Sequence, residues 1–262
     1  MKQSRHVIER RRTCILKMLK ENTQVQVKEL SDYFEVSELT IRRDLEFLEA
    51  KGEVTRFFGG AKIKENNALQ KFEEKTVIHR EEKEAIGEYV AGLVKEKTSV
   101  FMNSGTTVLE VLKNLTDKNI VLITNNAFAG RILENSNCDL LCTGGMFNNV
   151  TKSYLGEFST RLIEEIFAEM AIMGVNGISA EYGITTSAFQ ETTIFSMMLE
   201  RCRGLKIVVT DGSKVGRVKN YKSVDIGRID MLVTTSAANP DELEKIRNAG
   251  VEVVLADEEL SK

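Results

Sequence analysis

Residues 27–61, VKELSDYFEVSELTIRRDLEFLEAKGEVTRFFGGA, decide the fold of the first part of the chain. Val27, Leu30, Tyr33 and Phe34 fall on one face of a short helix, at the spacing an amphipathic helix requires. A second helix follows after a very short gap. Ser37 is placed to cap it, its hydroxyl accepting from an orphan N–H of the first turn, and Gly52 is placed to end it. Within it Ile41, Leu45 and Leu48 recur at i, i+4 and i+7, a stripe that packs onto a core. Upstream, VIERRRTCILKMLKEN (7–22) carries Val7, Ile8, Ile15, Met18 and Leu19 at helical spacing. Downstream, EVTRFFGGAKI (53–63) reads as a short β-ribbon turning at Gly59-Gly60. Three helices and a ribbon outline a winged helix-turn-helix.

The charges of the second helix point to what it meets. Arg42 lies to one side of the wheel, close to Glu38, Glu46 and Glu49, and i, i+4 ion pairs on a solvated face account for it. They do not account for Arg43, nearly opposite the apolar stripe, whose helical neighbours Leu39 and Phe47 are apolar. A groove-facing surface does: Arg43 reaches guanine or phosphate, Thr40 either, and Leu39 a thymine methyl. The charge distribution agrees. The chain has a formal net charge of −3, yet residues 1–64 hold 14 Lys/Arg against 10 Asp/Glu, and the remainder 22 against 29. An N-terminal unit that meets a polyanion is the reading this split favours. The candidate DNA contacts are Ser37, Glu38, Leu39, Thr40, Arg42 and Arg43, with Arg56 and Lys62, and Lys64 beyond, as phosphate contacts of the wing. Arg10, Arg11 and Arg12 read either as backbone contacts or as a solvated basic face.

From about residue 84 strands alternate with helices. Candidate strands are 99–103, 120–124, 139–143, 170–175, 206–210, 230–234 and 251–256; helical patterns occupy 84–95, 106–115, 127–135, 157–168, 189–202 and 240–249. Short, nearly continuous apolar strands are what a parallel sheet covered on both faces requires. The expected domains are 1–62, a winged helix-turn-helix; 63–83, a polar connecting segment helical in its second half; and 84–262, an α/β effector-sensing and oligomerisation domain. His79, in the connecting segment, is given no functional weight.

Ligands of such sheets bind beyond the carboxyl ends of the strands, and there the sequence is small, polar and glycine-rich. Asn103-Ser104-Gly105-Thr106-Thr107 opens straight into a helix. Glycine lets backbone approach an anion, threonine donates, and the helix N-terminus offers free N–H groups. The GxxxxGK[ST] spacing of a P-loop is absent. Thr124-Asn125-Asn126, Gly144-Gly145, Asn176-Gly177, Thr185 and Asp211 with Lys214 complete the candidate set. A small, polyhydroxylated anion such as a sugar phosphate suits it.

Other classes find little support. No apolar run approaches the ~20 residues of a membrane helix, no signal peptide is read at the N-terminus, and the expected compartment is reducing cytoplasm. Cys14, Cys138, Cys142 and Cys202 read as buried thiols; Cys138 and Cys142 lie on an apolar strand, which argues against a cysteine redox regulator. With two histidines in the chain there is no ligand supply for zinc, and no metal or cofactor is expected.

Residues 27–61 resemble the DeoR-type bacterial repressors, whose helix-turn-helix ends in TIRRDL…LE..G…R..GGA. The resemblance continues through SGTT, ITNN, GG, GVNGI, G.TT and D.SK.G. It implies an α/β protein with an N-terminal winged helix-turn-helix domain and a larger C-terminal Rossmann-like, ribose-5-phosphate-isomerase-like domain. It also implies a repressor of a carbohydrate-utilisation operon, a homodimer or higher homo-oligomer on a double-stranded operator, answering to a phosphorylated sugar or related metabolite. Three positions depart from the pattern: Asn103 stands for Asp, Phe58 for His and Phe195 for Lys. Asn103 removes a charge that would repel phosphate, while Phe195 removes an expected cation. The alternative left open is a sugar-phosphate isomerase-like enzyme, with Asp211 beside Lys214 as a thin catalytic set.

Overall fold

The computed structural model describes residues 5–22, 24–63 and 76–261, and the chain divides into two compact units, Met1–Ala68 and Leu69–Lys262. In the first unit, α1 (Arg5–Asn22) is followed by β1 (Gln24–Gln26), α2 (Val27–Phe34), α3 (Glu38–Ala50), β2 (Val54–Phe57) and β3 (Gly60–Ile63). Ser37 Oγ accepts from the Thr40 N–H at 3.2 Å, and Gly52 takes a left-handed φ of +76° just past the end of α3. The ribbon is three-stranded, because β1 pairs antiparallel with β3; a strand there was not expected, since three residues carry no periodicity. Ile15, Leu19, Leu30, Ile41, Leu45, Leu48, Val54 and Ala61 form the core.

One buried charge holds this unit together. Asp44, 2% exposed, accepts from Arg11 Nε at 2.6 Å and from Arg12 Nε at 2.7 Å. Arg11 is itself buried, and the Arg12 guanidinium lies 3.7 Å from the Phe47 ring centroid. Arg11 and Arg12 therefore form neither a solvated face nor a free phosphate-binding pair. They tie α1 to α3.

The second unit runs through α4 (Arg80–Leu93), β4 (Ser99–Met102), α5 (Thr106–Lys113), β5 (Val121–Thr124), α6 (Ala129–Ile132), β6 (Asp139–Cys142), β7 (Met146–Asn148), β8 (Ser153–Leu155) and α7 (Glu157–Glu164). It continues with β9 (Ala168–Gly174), β10 (Gly177–Ser179), β11 (Gly183–Thr186), α8 (Phe189–Glu200), β12 (Cys202–Val209), β13 (Tyr221–Val224), β14 (Met231–Thr234), α9 (Pro240–Asn248), β15 (Glu252–Leu255) and α10 (Ala256–Glu259). All seven strands read from the sequence enter one sheet, ordered β6-β5-β4-β9-β12-β14-β15, with every pairing parallel. That is the doubly wound order, which reverses between β4 and β9.

Alternate residues feed the two faces. Phe101, Ala171, Met173, Val208 and Leu232 join α7, α8 and α9 in one core; Val100, Met102, Ile172, Val209 and Val233 join α4, α5 and α6 in the other. The β7–β8 hairpin and the antiparallel sheet β10-β11-β13 lie outside this pattern. α4 begins at Arg80, inside the segment read as a connection. Of the four cysteines, Cys202 is buried, Cys14 and Cys138 are half-buried and Cys142 is exposed, which corrects the expectation that all four are buried. Burial raises the Cys138 and Cys202 thiols above their ordinary value, so both are protonated, unreactive thiols at neutral pH.

Removing Asp44 takes the shared carboxylate from the buried Arg11 and from Arg12. Asp44→Ala is expected to destabilise the N-terminal unit by about 3–5 kcal/mol, read by urea unfolding and hydrogen exchange on the full chain. A loss under about 1 kcal/mol, the scale of a surface pair, would show the ion cluster to be dispensable.

Candidate functional site

On the first unit, the outward side of α3 carries the expected DNA-reading residues. Ser37, Glu38, Arg42 and Arg43 are exposed, Leu39 is 59% exposed, and Thr40 is half-buried with its hydroxyl 2.9 Å from Ser37 Oγ. Arg42 pairs with Glu38 at 3.1 Å, at the surface. Arg43 has no ion-pair partner among the described residues and is the free cation of the helix. Arg56 is committed differently from a phosphate contact: Nε donates to Glu49 at 2.8 Å and Nη1 to Glu46 at 3.0 Å. The Glu49 hydrogen bond foremost holds its guanidinium above the ordinary value. Lys62 is exposed on β3, and Lys64 lies outside the described residues.

On the second unit, the strand ends meet at the β4/β9 reversal. Asn103, just after β4, forms two hydrogen bonds with Gly174, the last residue of β9: its amide N donates to the Gly174 carbonyl at 2.8 Å, and its Oδ1 accepts the Gly174 N–H at 2.7 Å. The Asp of the family pattern could not make both. Beyond this pair opens a cavity of about 500 Å³, within the range of small-molecule sites. Of the expected residues, Asn103, Ser104, Gly105, Thr106, Thr107, Asn176, Thr185, Asp211 and Lys214 line it. The first-turn N–H groups of α5 face a ligand by helix geometry, and Thr107 Oγ1 is buried without a hydrogen-bond partner.

The remaining expected residues shape the walls from behind. Asn125 accepts the Ser104 N–H at 2.9 Å and donates to the Tyr154 carbonyl at 3.1 Å. Thr124 Oγ1 accepts the Asn126 N–H and Asn126 Oδ1 the Phe128 N–H. Gly144 and Gly145 have positive φ, and the Gly144 carbonyl accepts from Ser159. A Cβ on Gly177 would lie 2.4 Å from the Arg217 carbonyl oxygen. These six positions do not line the cavity. Small polar residues after strands serve backbone turns as readily as ligands.

The sequence reading missed other residues of the cavity. Lys83, 2% exposed, lines it together with His79 and Arg217, and Lys83 Nζ donates to the Ile78 carbonyl at 2.5 Å. Both Lys83 and His79 belong to a charge run that looked solvated. Close packing carries them there. A Cβ on Gly87, one turn further along α4, would lie 2.7 Å from the Glu110 backbone, so glycine lets α4 rest directly on α5. Glu82 anchors the start of α4: its Oε2 accepts from the Gly212 N–H at 2.9 Å and from Thr235 Oγ1 at 2.5 Å, while Oε1 lies 2.6 Å from His79 Nδ1. Phe195, where the family pattern has lysine, is buried and contributes apolar wall. On the same side, Thr186 Oγ1 lies 2.9 Å from Asn176 Oδ1 and 2.7 Å from Glu191 Oε2, one proton between two acceptors.

Electrostatics favours an anion here. Burial pushes Lys83 below its ordinary value, and the neighbouring charge of Lys214 lowers it further. Burial pushes the Asp211 carboxyl up, but Lys214, 3.0 Å away, and the Ser213 hydroxyl, 2.5 Å away, outweigh it and hold the group below the ordinary value. An anion would offset the mutual repulsion of the two lysines. Among the described residues no group of three or more His, Cys, Asp or Glu could hold a metal ion, and no helix is long and apolar enough to cross a membrane.

A helix-turn-helix unit joined to a doubly wound unit with a cationic cavity at its switch point defines a ligand-responsive DNA-binding regulator. The chain belongs to the DeoR family: residues 11–67 match the DeoR-like helix-turn-helix domain and residues 78–236 the DeoR C terminal sensor domain. It is 32% identical over 253 residues to an Escherichia coli O157:H7 protein assigned as transcriptional repressor of the aga operon, covering 95% of this chain and 94% of that one. It is 29% identical to the regulator GolR of Listeria innocua, covering 94% and 98%, and 30% identical to the lactose phosphotransferase system repressor of Streptococcus mutans, covering 88% and 93%. A looser likeness, with a TM-score of 0.39 and 12% identity, is to ribose 5-phosphate isomerase A of Methanocaldococcus jannaschii, over 52% of this chain and 54% of that one.

Because Asp211 is held below its unfolded value, its contribution to stability is fully present above the ordinary carboxylate value of about 3.9 and is lost as pH falls through the lower folded value. Urea unfolding of wild type against Asp211→Asn is expected to give a difference that is constant above about pH 5 and shrinks below about pH 4. A difference unchanged at lower pH would refute the Lys214–Asp211 coupling.

Proposed function

We propose that the chain represses an operon for carbohydrate use and that a phosphorylated sugar or closely related polyhydroxylated anion, bound in the cavity, alters its affinity for the operator. The observation that carries this reading is the convergence of Lys83, Lys214 and Arg217 with the open N-terminus of α5 and the unpartnered Thr107 hydroxyl around one cavity. The cations and N–H groups suit a phosphate, and the Asn176, Thr186 and Glu191 side suits sugar hydroxyls. With Phe195 in place of the family's lysine, Lys83 is the buried cation nearest in kind to the missing one.

The DNA partner is read by α3, with Arg43 at a base or phosphate and Thr40 and Leu39 beside it. One such module covers too little DNA for useful specificity, so the working form is at least a dimer. The isomerase-like reading finds less support. A general base works best with a pKa near the operating pH, and Asp211 is held below even the ordinary carboxylate value. The curated relatives named above are regulators.

Two measurements test this. In a thermal-shift screen of the full chain, a phosphorylated pentose or hexose is expected to raise the melting temperature while the unphosphorylated sugar does not; at one hundred times Kd the gain is about 2.7 kcal/mol. Lys83→Met or Lys214→Ala abolishes that shift and keeps DNA binding, and a retained shift in both moves the phosphate elsewhere. Separately, Arg43→Ala is expected to weaken binding to an operator duplex by about 1–3 kcal/mol at fixed salt. Unchanged affinity removes Arg43 from the interface.

A further inference from the structure

The β2–β3 turn carries two adjacent phenylalanines with opposite fates. Phe57 folds back over the turn: a Cβ on Gly60 would come within 2.7 Å of its ring. Phe58 is 104% exposed, more than any other large apolar side chain among the described residues. The backbone beneath it is fixed at several points. Gly59 takes φ +86°, and its carbonyl accepts the Val27 N–H at 2.8 Å. Arg56, two residues before the tip, is tied by side chain to Glu46 and Glu49 and by its own N–H to Glu49 Oε1 at 3.1 Å. An aromatic ring is thus held out in water on a platform locked to α3, with apolar area that nothing in its own unit compensates.

Its surroundings say what covers it. Lys62 stands exposed on the strand paired with β2, opposite Thr55. On the helix to which the turn is clamped, Leu39 and the free Arg43 are exposed. Exposed cations and a lone exposed aromatic on one small unit suit a polyanion that also offers stacked apolar faces, which is a DNA duplex. A partner protein's apolar face would match the ring and Leu39 but not Lys62 and Arg43.

We propose that Phe58 is a DNA wedge: it enters the groove beside the one that α3 reads, partly unstacks one base step and bends the duplex. Arg56 is then a positioning residue that sets the wing against α3, not a phosphate contact. The proposal rests on the DNA-binding reading of α3. Pyrimidine–purine steps unstack most readily, so the wing specifies a TA or CA step at a position no hydrogen bond reads.

The probe is a 30-base-pair duplex selected by the full-length wild-type protein from a random library, with affinity measured by anisotropy and bending by energy transfer between end labels. Phe58→Ala is expected to lose about five- to a hundredfold in affinity, the scale of one aromatic stack on a base. Its salt slope stays that of the wild type, because no phosphate contact is lost, the duplex straightens, and repeat selection no longer enriches the TA or CA step. Phe58→Leu, another apolar wedge, keeps the bend. Because Phe58 is fully exposed, both variants keep the wild-type melting temperature. Arg56→Ala is expected to weaken binding and bending while leaving the salt slope unchanged; a slope reduced by about 0.9 marks a phosphate contact and overturns its positioning role. Wild-type affinity and bend in Phe58→Ala overturn the wedge. A wild-type protein that selects no duplex overturns the DNA-binding reading itself.

Discussion

The reciprocal hydrogen bonds between Asn103 and Gly174 are the constraint on which the sensor unit turns. In a doubly wound sheet the strands on either side of the reversal send their chains to opposite faces, and a crevice opens between their ends. Here one side-chain amide spans that crevice, donating to and accepting from the same residue of β9. It fixes the exit of β4, and with it the loop that leads into α5. α5 then serves as the floor for α4, through the bare contact that Gly87 permits, and α4 brings Lys83 to the cavity. A chain of short-range contacts, none of them long in itself, assembles groups that are far apart in sequence.

The DNA-binding unit has an analogous keystone. Within the TIRRDL run, the three polar residues after Ile41 do different work. Asp44 is buried and takes both Arg11 and Arg12, Arg42 pairs with Glu38, and Arg43 is left to solvent. A buried carboxylate with two guanidinium partners is stable only with its hydrogen bonds intact. The same six residues therefore hold α1 in place and present the free cation. On the proposed reading, that double duty lets a helix carrying so few uncommitted charges serve an acidic chain as its polyanion-facing surface.

How much was legible follows from which signals are local. The seven strand segments were readable because burial on both faces makes them continuous apolar runs, and all seven entered the sheet. The α3 cap and the Ile41–Leu45–Leu48 stripe were readable for the same reason: period and capping chemistry are local. The cavity was half-legible. The 103–107 loop, Asn176, Thr185, Asp211 and Lys214 converge, but Thr124–Asn126 and Gly144–Gly145 share their composition and satisfy backbone groups instead. Lys83, His79 and Arg11 could not be found by pattern, since each sits in a charge run and its placement depends on contacts distant in sequence: Asp44 for Arg11, and for His79 and Lys83 the α4–α5 and Gly212 contacts.

On the proposed reading, that burial of Lys83 contributes to the energetics of sensing. A lysine withdrawn from water and set near Lys214 has its charged form held at a disadvantage, which lowers its proton affinity. An anion beside them would be attracted by both and would move Lys83 back toward its ordinary value. On the proposed reading, the free energy of that attraction belongs to the bound state alone and can shift a conformational equilibrium, in proportion to how unequally the two conformations bury the group. Lys83, His79 and the anchored Glu82 all lie at the start of α4, the first helix of the sensor unit. On the proposed reading, a ligand held by Lys83 bears directly on the start of α4.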